Sequence, residues 1–435
     1  MSGPDDLDPG PPDGGVGPRS ADGLARRDVL KSAGVLPLGT AIDADGLGEH
    51  SGAATADEAR TVPALPDRFE GWQAGDLHVH THYSHDVCGD PTTCEDPETV
   101  GFSVGQQIRN AETRGLDYLA ITDHSTVAAI DDPDFESDEV TLLGAYEHSL
   151  AGGHAGFFGV DRVYDRASGT DGQLRALLEE LHRDDGVGVI NHPRTNISAT
   201  WTYDGPAGMD AVEIWSIAWY LREELFGGVS SQNHEALSLY DAYLGAGHRL
   251  AAVGGSDNHW VHTSWAQGPG QPTTWVHAPG GDAGDIVDGI RHDRTFVSWD
   301  WTGPQLLLEA ETDDGYDAMT GDVTAAAGPT DVRVIVANGA GHRLRLVLDG
   351  TVVAETVAPA TPYTWETTVD VPERPDADER TGHNWLRAEA LLEADYSMRA
   401  LTSPIYFAHR GDPDTGGECA CHPPAQRRQY SDLDL

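Results

Sequence analysis

Residues 76–86 read Asp-Leu-His-Val-His-Thr-His-Tyr-Ser-His-Asp, and the stretch 75–80 has the apolar alternation of a strand. Side chains two apart on a strand point to the same side, so His78 and His80 share one face. Two imidazoles that close suit a common metal ion. Working outward, short apolar runs recur at 118–122, 141–146, 155–160, 186–190, 211–215, 250–253 and 273–277. Helical patterns lie between them at 104–114, 171–183, 233–244 and 285–291. Strands alternating with helices predict a parallel sheet or barrel of the α/β class. In a β/α barrel the carboxyl ends of the strands form the active face.

The ends of these runs carry the chemistry. The run at 118–122 ends in Asp123-His124, the one at 141–146 in Glu147, and the one at 186–190 in Asn191-His192-Pro193. Gly254-Gly255-Ser256-Asp257-Asn258-His259 follows the run at 250–253. His154 precedes its apolar run and fits this rule less well. A single histidine at a strand end is ordinarily structural. Five strand ends that all deliver ligand-type residues to one rim are not explained by core packing. Buried imidazoles and carboxylates need partners, and metal ions supply them. Imidazole mixed with carboxylate selects Zn, Mn or Fe over Mg or Ca.

Composition narrows the partners. Against 72 Asp and Glu stand 27 Lys and Arg, a formal charge of -45, which repels nucleic acid and anionic membrane. Lys31 is the single lysine. A surface that sheds lysine and gains carboxylates fits a protein that works in molar salt, where the Debye length of about 3 Å screens the self-repulsion. Eleven Trp and thirteen Tyr exclude a disordered acidic chain. Arg26-Arg27-Asp28-Val29-Leu30-Lys31, followed by a weakly apolar stretch at 32–41, fits a twin-arginine export signal. That stretch is too short to span a bilayer, and no other segment could cross one, so the expected location is extracellular or at the cell surface. Export permits disulfides. Cys88 with Cys94 is the simplest pairing, whereas Cys419 and Cys421 are too close for an easy bridge and bind metal or nothing.

Taken in order, DLHVHTHYSHD at 76–86, ITDHS at 121–125, Gly144-x-x-Glu147, Gly153-His154, Asn191-His192-Pro193 and Gly255-Ser256-Asp257-x-His259 resemble the motifs of the polymerase and histidinol phosphatase (PHP) superfamily over roughly residues 70–300. The β-rich region that follows, with Thr295-Phe296-Val297-Ser298, resembles the CehA/McbA-type metallohydrolases within it. The resemblance implies a distorted (β/α)7 barrel and a ligand set for two or three divalent transition metal ions. His78, His80, Glu147 and Asp257 would hold the first; His85, His124 and His259 the second; Glu147, His154 and His192 the third, with Glu147 bridging. Many family members have Ser-Asp-Gly where this chain has Ser84-His85-Asp86, so either His85 ligates in the carboxylate's place or Asp86 does after a small shift of the loop.

The expected reaction is hydrolysis of a small-molecule substrate by metal-activated water, with a phosphate ester first, a carbamate or related ester as the subgroup's alternative, and a non-catalytic metal-dependent binding protein as the alternative of another class. A polymerase-associated proofreading module is opposed by the charge and the export signal. Asp257, His259, Arg194 and Asp123 are the candidate catalytic residues: Arg194 to grip a phosphate oxygen, Asp123 to orient a histidine. His82 could donate a proton to a leaving group or simply be exposed, and Trp215 and Trp260 could line a pocket or the core. Residues 1–64 are read as signal and disordered linker, 65–302 as the metallohydrolase barrel, 303–408 as a small all-β sandwich and 409–435 as an acidic tail. The sandwich rests on seven short strand-like runs, with Asp349-Gly350 as a hairpin turn.

Overall fold

A computed structural model describes residues 65–87, 102–164, 167–194, 200–216, 232–259, 268–312, 315–373, 383–394 and 396–408. The export signal, the four cysteines, Trp260 and the acidic tail lie outside the described residues.

Among the described residues before 300 there are ten strands: β1 (Trp72–Val79), β2 (Tyr118–Ile121), β3 (Thr141–Leu143), β4 (Ala145–Leu150), β5 (Gly153–Phe158), β6 (Val187–Asn191), β7 (Ala211–Ser216), β8 (Ala251–Gly255), β9 (Thr273–His277) and β10 (Thr295–Ser298). The α-helices of the described residues are α1 (Val104–Arg114), α2 (Asp171–Arg183), α3 (Gln232–Gly245) and α4 (Ala283–Arg291). Their boundaries follow from local chemistry. Ser103 caps α1 reciprocally with Gln106, and Gly115 ends it in the left-handed conformation, φ 67°. On α2, Thr170 caps the start, and Leu174, Leu177, Leu178 and Leu181 recur at helical spacing on the buried face. Each such leucine contributes about 1.5–3 kcal/mol by leaving water.

Parallel pairing runs through β1–β2–β3 and β6–β7–β8, with α1 between β1 and β2 and α3 between β7 and β8. Between these sets, β4 and β5 form an antiparallel hairpin, and β5 is antiparallel to β6 as well. The strands therefore belong to two sheets, with β4-β5-β6-β7-β8 forming one and β10-β9-β1-β2-β3 part of the other. The expected α/β class is met, as a mixed sheet arrangement with strands more numerous than helices among the described residues, whereas this pairing does not establish the (β/α)7 repeat. One apolar core nevertheless draws on every strand from β1 to β8, through residues such as Leu77, Tyr118, Leu143, Ala145, Phe158, Val189, Ala211 and Val253. The two sheets are stitched together at the strand ends, where Val79 bridges Asn258 and His124 bridges Glu147. Asp257 N–H donates to His78 O at 2.8 Å, and Ser125 N–H donates to Glu147 O at 2.7 Å. These stitches fix the rim on which the functional residues sit.

From residue 305 onward the described elements are all strands: β11 (Gln305–Thr312), β12 (Gly315–Met319), β13 (Val323–Ala325), β14 (Gly328–Ala337), β15 (His342–Leu348), β16 (Thr351–Val357), β17 (Tyr363–Val371), β18 (His383–Leu392), β19 (Met398–Thr402) and β20 (Ile405–Ala408). The β12-β11-β14-β17 sheet faces β15, β18, β19 and β20 across a core that includes Leu306, Leu308, Val334, Leu346, Leu386 and Phe407. This layer is not hung on a linker. β10 pairs with β19, so residues on both sides of position 302 share one sheet, and Trp385, Leu401 and Tyr406 enter the core that contains Trp215 and Leu244. Buried Arg387 reinforces the junction by pairing with Asp241 on α3 and, at 2.8 Å, with Glu389.

Candidate metal centre

The carboxyl end of β1 delivers His78 and His80, whose ring centroids lie 5.1 Å apart on one side of the strand. His124 follows β2, Glu147 lies within β4, His192 follows β6, and Asp257 and His259 follow β8. His154 joins them because β5 runs the other way. It opens that strand opposite Ser149 and beside Asn191 of β6, so its amino end lies where other strands have their carboxyl ends.

Glu147 is the hub. Its Oε1 lies 3.4 Å from His78 Nε2, 3.3 Å from His154 Nδ1 and 3.1 Å from His192 Nε2. Its Oε2 lies 3.5 Å from His80 Nε2 and 3.0 Å from His124 Nδ1. Asp257 Oδ1 is 3.4 Å from both His78 Nε2 and His80 Nε2. On the outer side, Asp86 Oδ2 lies 2.9 Å from His259 Nε2 and 3.2 Å from His124 Nε2. Ligand-type atoms fall into four overlapping groups: His80, Asp86, His124 and His259; His78, His80 and Asp257; His78, Glu147 and His192; and His124, Glu147 and His154.

These residues fit divalent ions. His78 Nε2, His80 Nε2, His124 Nδ1, His154 Nδ1 and Glu147 Oε2 are buried without an aligned hydrogen-bond partner, although oppositely polar atoms stand close by. Atoms too far apart or misdirected for hydrogen bonding are placed well to share a third atom. A tetrahedral shell at a bond length of about 2.0–2.2 Å sets its ligands about 3.3–3.6 Å apart, the spacing seen around Glu147 and Asp257. The electrostatics agree. Burial pushes the carboxyls of Glu147, Asp257 and Asp86 up, but the surrounding imidazoles, His78 foremost for the first two and His124 and His259 for the third, hold all three well below the usual carboxylate range. Burial likewise disfavours the imidazolium ions, yet the carboxylates raise His78, His192 and His259, the last to about 9. Burial and repulsion from His259 push His80 down to about 3. The carboxylates draw positive charge into a buried space, and divalent cations satisfy that demand.

Supporting groups fix the ligands. Asn191 Nδ2 donates to Glu147 Oε1 at 3.0 Å. Asp76, wholly buried, accepts from the backbones of His78, Ser256 and Gly270, tying β1 to the segment that leads to Asp257; burial raises its carboxyl to about 6. Two candidate ligands sit on backbone of positive φ, His192 at 26° and Asp257 at 48°. Strain of this kind persists where the surroundings hold it in place.

Several expected placements are revised. His85 is exposed, with its ring centroid 4.9 Å from that of His124, and stands in none of the four groups; Asp86 occupies the place instead. Ser84 sets this offset, since its hydroxyl donates to Asp86 Oδ1 at 2.8 Å and accepts from His124 N–H at 3.2 Å. Asp123 orients no histidine through its oxygens: both accept from Thr81, its backbone N–H and its hydroxyl, each at 2.6 Å, which pins the turn after β1. Arg194 is half-buried two residues past His192, where its charge acts on the Tyr243 hydroxyl of α3. Trp215 is core. Glu213 of β7, absent from the sequence expectations, lies 2.9 Å from His78 Nδ1 and accepts from His192 N–H at 2.5 Å.

A family model described as a protein of unknown function (DUF3604) matches residues 72–142. No curated protein matches the chain. Among solved structures, the chain is similar to a two-domain protein of Bacteroides vulgatus ATCC 8482 described as containing a PHP-like metal-dependent phosphoesterase, at 13% identity and a TM-score of 0.37, covering 79% of this chain and 98% of that one. An engineered protein matches at 12% identity and a TM-score of 0.16, covering 72% of this chain and 53% of that one.

Proposed function

We propose that the chain is a metal-dependent hydrolase that cleaves phosphate esters. The observation that carries this reading is the set of buried imidazole nitrogens around Glu147, spaced for coordination, of which those of His78, His80, His124 and His154 have no aligned hydrogen-bond partner. His78, His80, Glu147 and Asp257 would hold one ion, Asp86, His124 and His259 a second, and Glu147, His154 and His192 a third. Zn, Mn and Fe suit this mixture of donors. Bound there, such ions supply Lewis acidity that lowers the pKa of water and polarises the scissile group.

The protein's own contribution is placement. Glu147 touches five of the histidines, so one carboxylate sets the spacing of ligands drawn from β1, β2, β5 and β6. Asp86, more exposed than the rest, sits on the open side with His259 and His124. The sequence resemblance of the six motifs to PHP proteins supports a phosphate ester as substrate. The test is to count metals on the purified protein and then offer it a phosphomonoester, a phosphodiester and an aryl carbamate. Metal-dependent turnover of either phosphate ester is expected. Turnover of the carbamate alone would replace the reaction class, and a fully loaded protein that turns over none of the three would favour a binding role.

A further inference from the structure

We propose that Glu213 is a positioning residue that locks His78 and His192 into a single ligand unit; this rests on the metal-centre reading above. Glu213 sits near the middle of β7, in a strand whose six residues are all buried. A carboxylate in that position needs a reason, because burying one without partners is strongly unfavourable. Its partners are both attached to the cluster. Oε1 lies 2.9 Å from His78 Nδ1, and Oε2 accepts from His192 N–H at 2.5 Å.

The first contact decides a tautomer. A carboxylate oxygen at Nδ1 is met by an N–H there, which leaves the lone pair of the neutral ring on Nε2. His78 Nε2 is the atom that faces Glu147 and Asp257 and lacks an aligned hydrogen-bond partner. The second contact holds a strained backbone. His192 has φ 26°, and the turn made there brings its Nε2 to 3.1 Å from Glu147 Oε1. Glu213 thus ties a ligand from β1 to a ligand that follows β6, and the two rings stack at 5.4 Å. The fold leaves room for this. A Cβ on Gly255 of neighbouring β8 would lie 2.2 Å from His78 Cβ and 2.8 Å from Glu213 Oε1, so only glycine allows that approach.

Two N–H groups converge on Glu213, so the residue must offer two acceptors. Glutamine has the same shape but one acceptor and one donor, so E213Q satisfies one N–H and opposes the other. The experiment compares wild type and E213Q, each stripped of metal and titrated with Co(II), reading the visible d–d absorption, the ions bound per chain by mass spectrometry, and the far-UV circular dichroism of the metal-free forms. Nitrogen-15 shifts of selectively labelled histidines, read in the zinc-loaded protein, report whether His78 keeps its proton on Nδ1. Expected results are an unchanged metal-free fold, a 10- to 100-fold weaker cobalt affinity at one site, as is usual for partners of ligating histidines, a changed d–d band, and loss of the fixed His78 Nδ1–H tautomer. In a background that lacks both imidazoles, H78A/H192A, E213Q should weaken cobalt binding no further. Should E213Q not fold, E213D serves: one methylene shorter, it reaches one of the two donors and should show the same loss. Wild-type cobalt affinity and spectrum in a folded E213Q or E213D would overturn the role of Glu213 alone. A wild-type protein that takes up no cobalt would sink the metal centre itself.

Discussion

Replacing Glu147 by glutamine keeps the size and removes the charge at the hub of the cluster. Its oxygens stand 3.0–3.5 Å from ring nitrogens of five histidines, and the residue is wholly shielded from solvent. A unit charge 3.4 Å from another interacts by about 5 kcal/mol at an effective dielectric of about 20. With each 1.4 kcal/mol worth a factor of ten, E147Q should weaken divalent-ion binding by at least about a thousandfold. Because Glu147 belongs to two of the four ligand groups, the loss should fall on more than one ion, whereas H154A, which belongs to one, should remove a single ion. The assay is equilibrium dialysis of the metal-free proteins against micromolar Zn or Mn, with ions per chain read by mass spectrometry and folding checked by circular dichroism. A folded E147Q that retains the wild-type ion count, with an affinity within tenfold, would refute the reasoning.

The Ser84-His85-Asp86 turn is tested by a pair of variants. D86A should weaken binding at the His124 and His259 group, whereas H85A should keep the full ion count in the same dialysis assay. At the foot of α2, His182 Nε2 lies 2.9 Å from Asp210 Oδ2; burial works against its charge, but Asp210 wins and the pKa is raised. Its stabilisation should be complete below its unfolded value of about 6.5 and vanish as pH rises through the raised folded one. The difference in unfolding free energy between wild type and H182Q should therefore shrink from pH 6 to alkaline pH, and a gap that widens would contradict this. Arg387 is buried between Asp241 and Glu389. R387A should cost about 3–5 kcal/mol in urea unfolding, since it leaves Glu389 buried with less compensation, and a loss under 1 kcal/mol would show the junction to be held by packing alone.

Much of the rim was legible because the signal is local. His78 and His80 share a face by strand alternation alone, and His124, Glu147, His192 and Asp257 stand where apolar runs end. His154 broke that rule because the reversal of β5 depends on hairpin pairing with β4, which a rule for parallel strands does not anticipate. The choice between His85 and Asp86 hung on how Ser84 spends its hydroxyl, a contact that reaches across to His124. Glu213 went unnoticed inside Ala211–Ser216; the available signal was a charged residue in the middle of a short apolar strand, which asks for a buried partner. Asp123 was noticed for its position, but its partner Thr81 lies on another segment. The shift to short strands after residue 300 was clear, yet the pairing of β10 with β19, which joins strands from either side of residue 302, leaves no local trace.

The most direct test is anomalous diffraction from crystals of the protein grown with Zn or Mn, recorded on both sides of the metal absorption edge. Two or three peaks are expected among His78, His80, Glu147, His154, His192, Asp257, Asp86, His124 and His259, with one peak touching Glu147 and both His78 and Asp257. A map without peaks there, or with ions bound only to surface carboxylates, would contradict the metal centre and the hydrolase built on it.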